Sequence, residues 1–396
     1  MQRIAKPQKI RVLQYIDRSG IGGTQDYLIT IIRGLDREQF SSYVVCPPGP
    51  LVNKAARYQS EIIQIPKRRL RDPRSIYKLY RILKREDISI IHTHTFQSSI
   101  IGRIAALLAG VPVRIFSMQG YILKDIPMQK KLKTLDKLKN SLLKALVYSL
   151  DNFCSSAVIL PSFEDGEEMV KRGIIKENKM FVIHNSIDVN LFTPSKNKKK
   201  LEKIRNDLGL GPDKIVVSTI ARLVEQKGIK YLVQAVKYVK EDIKDRHFVF
   251  LLIGDGPERR MLENLAKAEG VKKHIFFLGS RKDLRNLLDI SDIFVLPSLW
   301  EGLPLVLLMA MSMELPAVAT NVNGVKDVIT INKNGVIVQP KNPKAIAREI
   351  TRLIRNPELQ AQYGKEARKT IVGEYNDEIF QRRMNELYLQ LISEWG

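Results

Sequence analysis

The chain has 396 residues, of which 44% are hydrophobic and 27% charged, a composition typical of a globular protein of about two to three domains and not of a disordered one. Lys and Arg number 65 against 42 Asp and Glu, a formal net charge of +23, so a partner with negative charge is expected. Cys46 and Cys154 are the only cysteines, which excludes a disulfide-rich secreted scaffold and favours the cytoplasm. Neither a signal peptide nor a transmembrane run of about 18 apolar residues is expected.

Short β-branched runs alternate with longer helical stretches, which predicts parallel βαβ units and an α/β fold. In the first half, strands are predicted at 10–15, 42–46, 62–65, 88–92, 113–117, 157–160 and 180–183. Helices are predicted between them, notably at 25–35, 73–85, 98–109 and 130–153. After a Lys- and Asn-rich linker that follows Leu191, strands are predicted at 215–220, 248–253, 275–278, 293–296, 317–320 and 335–338. The pattern indicates two doubly wound domains, which bind ligands beyond the carboxyl ends of their strands.

Two clusters in the first half lie just after predicted strands. Gly20, Gly22 and Gly23 open the first helix, where free backbone amides favour an anionic group; a tight turn is the alternative interpretation. His92 and His94 end the fourth strand, but neither Cys nor an acidic cluster accompanies them, so a zinc site is not expected. For His94, hydrogen bonding or helix capping and contact with a substrate both remain open.

In the second half, charged residues also lie just after predicted strands. Arg222 and Lys227 lie between a strand and an amphipathic helix, a position suited to a diphosphate, although a solvated basic loop is the alternative. Gly254 and Gly256 form a turn after the next strand. Later in the chain, Glu301 and Gly302 precede a helix whose first turn is predicted to contain Pro304.

These motifs occur in the order Gly-rich loop, linker, A-R-L-x-x-x-K-G, G-D-G-P, F-L-G and P-S-x-x-E-G-L-P-L. The order resembles family 4 of the retaining glycosyltransferases, two-domain enzymes of the GT-B fold, over essentially the whole chain. The segment GVPVRIFSMQG is similar to the strand and loop before the acceptor site, and EYNDEIFQRRMNELYLQLI to a C-terminal helix that crosses back to the first domain. The resemblance implies two Rossmann-like domains facing a cleft: an acceptor domain of residues 1–190 plus helix 376–396, and a donor domain of residues 191–375.

The resemblance also implies roles for individual residues. Arg222 and Lys227 would hold the diphosphate of a UDP- or GDP-sugar and stabilise the leaving nucleotide, while Glu301 would contact the donor sugar. Because these cations neutralise the diphosphate, neither a metal nor a cofactor is expected. The residues implied in donor binding are Gly22, Gly23, Gly254, Gly256, Gly279, Arg281, Gly302, Leu303, Pro304, Leu305 and Met309.

Three positions depart from the family pattern. Met309 stands where a second Glu normally holds the nucleotide ribose, and a thioether accepts hydrogen bonds only weakly. Gln119 and Gly120 replace a His-Gly pair at the acceptor side, where His94 is also expected. Ser186 replaces a Gly after Asn185. An active transferase is the first hypothesis, and a catalytically impaired relative that binds sugar nucleotides is the alternative.

The positive charge is concentrated in the first half. Residues 1–190 hold 31 Lys and Arg against 17 Asp and Glu, compared with 34 and 25 in the rest. The stretches 67–85 and 124–144 are the most basic, and leucines at near-helical spacing in the second suit a helix on an anionic membrane; packing of those leucines on the domain is the alternative. Since the first domain receives the acceptor in the family that this chain resembles, the resemblance together with this charge implies a lipid-linked or anionic glycan acceptor at the inner face of the membrane. Nucleic-acid binding is a weaker alternative, because no nucleic-acid module is recognisable.

Overall fold

The computed structural model describes residues 9–20, 22–66, 72–119, 153–243 and 247–395. The chain divides into two compact units, one of Met1–Asn185 with Asp377–Gly396 and the other of Ser186–Asn376. Gly120, the basic stretch 124–144 and nearly all of the predicted helix 130–153 lie outside the described residues, as do residues 67–71. The structure confirms the α/β class in both units.

The first unit contains a seven-stranded parallel sheet among its described residues, in the order β3-β2-β1-β4-β5-β6-β7. Its strands are β1 Ile10–Tyr15, β2 Phe40–Cys46, β3 Glu61–Gln64, β4 Ile90–Thr93, β5 Val113–Ser117, β6 Ala157–Leu160 and β7 Met180–Val182. All seven were predicted, and three have the predicted bounds. Strand β4 begins two residues later than predicted, after Asp87 has taken a left-handed conformation with φ 46°.

Helices in this unit begin at local signals that the sequence contains. They are α1 Gly23–Arg33, α2 Pro50–Ala55, α3 Pro73–Arg85, α4 Phe96–Ala109 and α5 Phe163–Lys171. The Asp72 side chain accepts a hydrogen bond from the Arg74 amide at the start of α3. Thr95 and Ser98 form a reciprocal capping box at the start of α4, so two otherwise unpaired backbone donors are satisfied there.

The second unit contains a six-stranded parallel sheet in the order β10-β9-β8-β11-β12-β13. Its strands are β8 Ile215–Ile220, β9 Phe248–Ile253, β10 Ile275–Gly279, β11 Ile293–Leu296, β12 Ala317–Thr320 and β13 Gly335–Val338. The described helices are α6 Lys198–Asp207, α7 Ile229–Asp242, α8 Arg259–Ala268, α9 Leu284–Asp289, α10 Leu305–Ser312, α11 Val325–Val328, α12 Pro343–Arg355 and α13 Pro357–Glu374. One detail was wrong: Pro304 is not in the first turn of α10, because its ψ of 109° is extended and makes it the N-cap residue.

The last helix, α14 Asp377–Ser393, belongs to the first unit, which confirms the predicted return of the C-terminus. Phe380, Met384 and Tyr388 of α14 are buried in the same core as Val12 and Ile31. Arg33 of α1 forms an ion pair with Asp377. None of the helices that the structure describes has both the length and the apolarity needed to cross a membrane.

The strand order of each sheet determines which loops lie next to each other. In the first sheet the order reverses between β1 and β4, and in the second between β8 and β11. At such a switch point the connections leave in opposite directions, and a crevice opens beyond the carboxyl ends of the two strands. Residues that follow β1 and β4, or β8 and β11, are therefore brought close to each other within each unit.

Candidate active site

Lys227 and Glu301 lie far apart in the sequence and are in direct contact at the switch point of the second sheet. The Lys227 Nζ donates a hydrogen bond to Glu301 Oε1 at 2.6 Å, and the Ser298 Oγ donates to the same oxygen at 2.6 Å. The side chain of Glu301 is 6% exposed and that of Lys227 20% exposed. Within the described part of the chain, Glu301 Oε2 has no hydrogen-bond partner. The carboxylate thus has one oxygen fixed by two donors and one oxygen available.

The two loops that supply this pair are held together by hydrogen bonds from Gln226 and Leu299. The Leu299 amide donates to Gln226 O at 2.7 Å, and the Gln226 Nε2 donates to Trp300 O at 3.0 Å. Gly228, with φ 59°, allows the close approach, because a Cβ at this position would lie 2.1 Å from Pro297 O. The glycine of the A-R-L-x-x-x-K-G motif therefore serves the contact between loops.

Sequence reasoning missed Ser298 as a site residue. The signal was present, since Ser298 precedes Glu301 by three positions in the P-S-x-x-E motif. Ser298 is fully buried, and the Thr320 hydroxyl at the end of β12 donates to its carbonyl oxygen. A third strand thus positions the serine that orients Glu301.

Arg222 follows β8 and differs from Lys227 in its surroundings. It is exposed, and its guanidinium has no hydrogen-bond or ion-pair partner among the residues that the structure describes. Guanidinium groups bind phosphate oxygens through two parallel hydrogen bonds. Arg222 can therefore receive an anion without first breaking a contact, whereas Lys227 already contacts Glu301.

Gly254 and Gly256 lie in the turn that follows β9, and Gly279 is the last residue of β10. The Gly254 amide donates to Gly279 O at 2.8 Å. With φ 134°, Gly254 packs so closely that a Cβ would lie 1.9 Å from Ala221 O. The glycines thus hold the turns against the loop that bears Arg222, and their predicted contact with a nucleotide stays a prediction.

Arg281, also predicted to line the nucleotide, is engaged by a neighbouring acid. Its Nε and Nη2 donate to the two carboxylate oxygens of Asp283 at 2.8 and 2.7 Å. These hydrogen bonds raise the pKa of Arg281. A nucleotide phosphate would have to compete with this carboxylate for the guanidinium.

The residues between Glu301 and α10 form the rest of the predicted donor site. Leu303 and Pro304 are buried, and Gly302 and Leu305 are half-buried. Met309 of α10 is also half-buried and packs against the core of the second unit. In the structure its side chain is therefore a packing residue, and its effect on ribose binding stays a prediction.

His94 in the first unit is part of a buried polar network. Its Nε2 donates to Gln14 Oε1 at 2.7 Å, because a carbonyl oxygen can only accept, and this leaves Nδ1 as an acceptor. His92 contacts the Tyr388 hydroxyl and the Ser117 hydroxyl, both at 2.7 Å. Burial lowers the pKa of both histidines, that of His94 to about 3, so both rings are neutral at physiological pH.

The network confirms hydrogen bonding, one of the two interpretations left open for His94. The capping residues of α4 are Thr95 and Ser98. Within the described residues, Nδ1 of His94 is buried and has no partner. Contact between His94 and a substrate stays a prediction.

The remaining predicted residues of the first unit lie at the same sheet edge. Gly22 is the N-cap residue of α1 and Gly23 its first residue, with no side chain capping the helix. Gln119 is half-buried just beyond β5, and its Nε2 has no partner among the described residues. Their predicted roles at the donor and acceptor therefore stay predictions, as does that of Gly120.

Comparison with known proteins identifies the family. Residues 21–191 match the family described as Glycosyltransferase Family 4, and residues 200–370 match Glycosyl transferases group 1. Over 386 residues, covering 94% of this chain and 95% of the relative, the chain is 30% identical to the UDP-Gal:α-D-GlcNAc-diphosphoundecaprenol α-1,3-galactosyltransferase of Escherichia coli. It is 25% identical to the capsular polysaccharide biosynthesis glycosyltransferase CapM of Staphylococcus aureus, over 92% of this chain and 95% of that protein.

A solved structure supports the same assignment at the level of the fold. The crystal structure of HepE from Anabaena in complex with UDP and glucose is 19% identical, has a TM-score of 0.82, and covers 96% of this chain and all of that one. Both halves of the chain match the family, and the observed α/β units have the expected topology. The protein therefore belongs to the family 4 glycosyltransferases and has the GT-B fold.

Proposed function

We propose that this glycosyltransferase moves a sugar, with retention of configuration, from a UDP-sugar to a lipid-linked glycan intermediate at a membrane surface and needs no metal. A GDP-sugar is the other donor predicted from the sequence. The name of the Escherichia coli relative supports this donor and acceptor, since it specifies UDP-Gal and a diphosphoundecaprenol-linked sugar. Its α-1,3 product also supports retention, because galactose is α-linked in UDP-Gal.

The observation that carries the proposal is the group formed by Lys227, Glu301 and Ser298. The leaving diphosphate gains negative charge as its bond to the sugar breaks, so fixed cations stabilise the transition state more than the ground state. Lys227 has three N–H donors and uses one on Glu301, which leaves two for phosphate oxygens. Arg222 supplies a second cation on the same loop. These cations take the neutralising role that a divalent metal would otherwise supply.

Glu301 is suited to contact the sugar rather than the phosphate. Its Oε1 is held by Lys227 and Ser298, and Oε2 can accept a hydrogen bond from a sugar hydroxyl. A carboxylate fixed in this way orients the donor sugar without a change of its own rotamer. Discrimination between donor sugars would then depend on the hydroxyl that reaches Oε2.

The test is transfer from UDP- and GDP-hexoses to GlcNAc-diphosphoundecaprenol, with and without EDTA. We expect an α-linked product from a UDP-sugar, an unchanged rate in EDTA, and loss of turnover in Lys227→Ala. A β-linked product would refute retention, and inactivation by EDTA that Mg²⁺ reverses would refute metal independence. Undiminished turnover in Lys227→Ala would refute the assignment of the diphosphate site.

A sugar-nucleotide-binding protein without turnover is the second candidate, and Met309 favours it. Its thioether cannot hold a ribose hydroxyl as a carboxylate does. Calorimetric titration with UDP, together with the transfer assay, separates the two candidates. Binding without turnover on any donor and acceptor would favour the second, whereas turnover that is lost in Lys227→Ala would exclude it.

A further inference from the structure

We propose that the outer face of α3 and the end of α4 form a docking surface for an anionic lipid bilayer. This inference extends the proposed function, since a lipid-linked acceptor resides in a membrane, but it depends on different residues. The docking surface comprises Pro73, Ile76, Tyr77, Tyr80, Ile104 and Leu108 together with the exposed cations of α3.

The docking surface exposes large apolar side chains, whereas the surface of a soluble protein is normally polar. Tyr77 is 59% exposed, and Leu107 and Leu108 are 52% and 64% exposed. Between α3 and α4 lies a cavity of about 460 Å³, lined by the six named residues. Tyr77 and Tyr80 are stacked, with ring centroids 6.4 Å apart. A cluster of large apolar side chains in water marks a site of interaction.

The most exposed of these side chains, Tyr77 and Leu108, are not part of the core of the unit, whereas Ile76 and Tyr80 are half-buried against it. The inner face of α3 is formed by Leu79, Ile82 and Leu83, which are buried. Tyr77 points away from them, because it lies two positions from Leu79 on a helix of 3.6 residues per turn. The exposed side chains of Tyr77 and Leu108 are therefore available to a partner.

Four cations of α3 flank the apolar cluster. Arg74, Lys78, Arg81 and Lys84 are exposed, and none of them has an ion-pair partner in the described part of the chain. Their helical spacing places Arg74 and Arg81 one turn before and one turn after Tyr77. The sequence of α3 contains no acidic residue, so no carboxylate on this helix offsets the charge.

An apolar cluster flanked by cations fits the surface of an anionic bilayer. Tyrosine side chains insert at the level of the lipid headgroups, and Lys and Arg extend to the phosphates. A second copy of the chain fits less well, because a two-fold interface through this face would place the α3 cations opposite each other. A neutral protein groove would leave the four cations without partners.

The test is sedimentation of the full-length protein with vesicles of phosphatidylglycerol and phosphatidylcholine, or of phosphatidylcholine alone. We expect binding to the anionic vesicles only, weakened by salt. Each cation near the surface contributes about five-fold to partitioning, so Lys78→Gln with Arg81→Gln should reduce it on the order of twenty-fold. Tyr77→Ser with Leu108→Ser should also reduce binding, with no increase in its salt dependence.

The matched control is Lys198→Gln with Lys199→Gln, which removes the same charge from two exposed residues of α6. We expect this variant to bind as the unaltered protein does. Equal loss in both double variants would refute the docking surface in favour of diffuse charge. Absence of binding to the anionic vesicles would refute the proposal outright. Self-association in analytical ultracentrifugation that Leu108→Ser abolishes would instead assign the face to a second copy.

The experiment is independent of the transfer reaction. Vesicle binding is measured without a donor, so it can succeed even if the proposed donor and acceptor are wrong. Conversely, transfer to a water-soluble acceptor should be unchanged in Lys78→Gln with Arg81→Gln. A parallel loss of that activity would mean that the substitutions disturb the fold, and thermal melting of the same variant would show it.

Discussion

The contact between Lys227 and Glu301 can be dissected by a double-mutant cycle. The cycle comprises Lys227→Met, Glu301→Gln and the double variant, each measured for stability and for transfer. A methionine keeps most of the length of the lysine side chain, and a glutamine keeps the shape of the carboxylate. The cycle therefore removes charge with little change in packing.

The expected magnitude follows from distance and burial. Two unit charges 2.6 Å apart attract by about 6 kcal/mol at an effective dielectric constant of about 20, but desolvation of both groups offsets most of this. Lys227→Met leaves a carboxylate that is 6% exposed with Ser298 as its remaining partner. Breaking a fully buried pair costs about 3–5 kcal/mol. Since Lys227 is 20% exposed and water can replace it in part, we expect about 2–3 kcal/mol.

The other arms of the cycle should cost less. In Glu301→Gln the lysine loses its anion but can still reach water, so we expect about 1 kcal/mol. In the double variant no charge is left buried, and a coupling of about 2 kcal/mol should therefore leave it about 1–2 kcal/mol less stable than the unaltered protein, compared with about 3–4 kcal/mol for the sum of the single variants. The melting temperature should fall by roughly 5–10 °C in Lys227→Met and recover in part in the double variant.

The transfer assay separates stability from chemistry. We expect both single variants and the double variant to lose transfer. The double variant regains part of the stability but has neither the cation nor the carboxylate. A double variant as unstable as the sum of the single variants would refute the stabilising ion pair. Transfer restored along with stability would refute the role of these residues in the reaction.

Three further predictions concern single side chains. Ser298→Ala should cost about 1–2 kcal/mol of stability, because the charged carboxylate of Glu301 loses a hydrogen bond, and should lower kcat with little change in the KM for the donor. Ser298→Thr, which keeps the hydroxyl, is the control, and an unchanged kcat in the alanine variant would contradict the positioning role. Arg222→Ala should leave the melting temperature unchanged, since the side chain is exposed and unpaired within the described residues, but should raise the KM for the donor about ten-fold or more; a fall in stability without a change in KM would show a structural role instead. Burial holds the pKa of His94 at about 3 against an ordinary 6.5, so below about pH 6.5 the unfolded chain takes up a proton that the folded protein does not. This difference at His94 should lower the free energy of unfolding by about 2 kcal/mol as the pH falls from about 7.5 to about 5. His94→Gln should therefore show a smaller fall in melting temperature over that range, and an equal fall in both proteins would contradict a buried neutral histidine.

Much of the fold could be predicted because its determinants are local. Strands such as Ile215–Ile220 and Ala157–Leu160 have the predicted bounds, since a run of β-branched residues flanked by turn residues marks a buried parallel strand wherever it occurs. The start of α10 was misplaced by one residue at its proline. Proline is favoured both in the first turn and just before it, and only the backbone angle distinguishes the two positions.

The sequence by itself determined the α/β class, the strands, and the presence of Arg222, Lys227 and Glu301 in loops after strands. Only the tertiary structure decided that Lys227 contacts Glu301 and that Ser298 donates to the same oxygen. Strand β11 lies next to β8 although β9 and β10 separate them in the chain. In the same way, Tyr388 of the last helix reaches His92 of β4. Such neighbours are chosen by strand pairing and packing over long sequence separations, whereas sequence periodicity reports only which way each element faces.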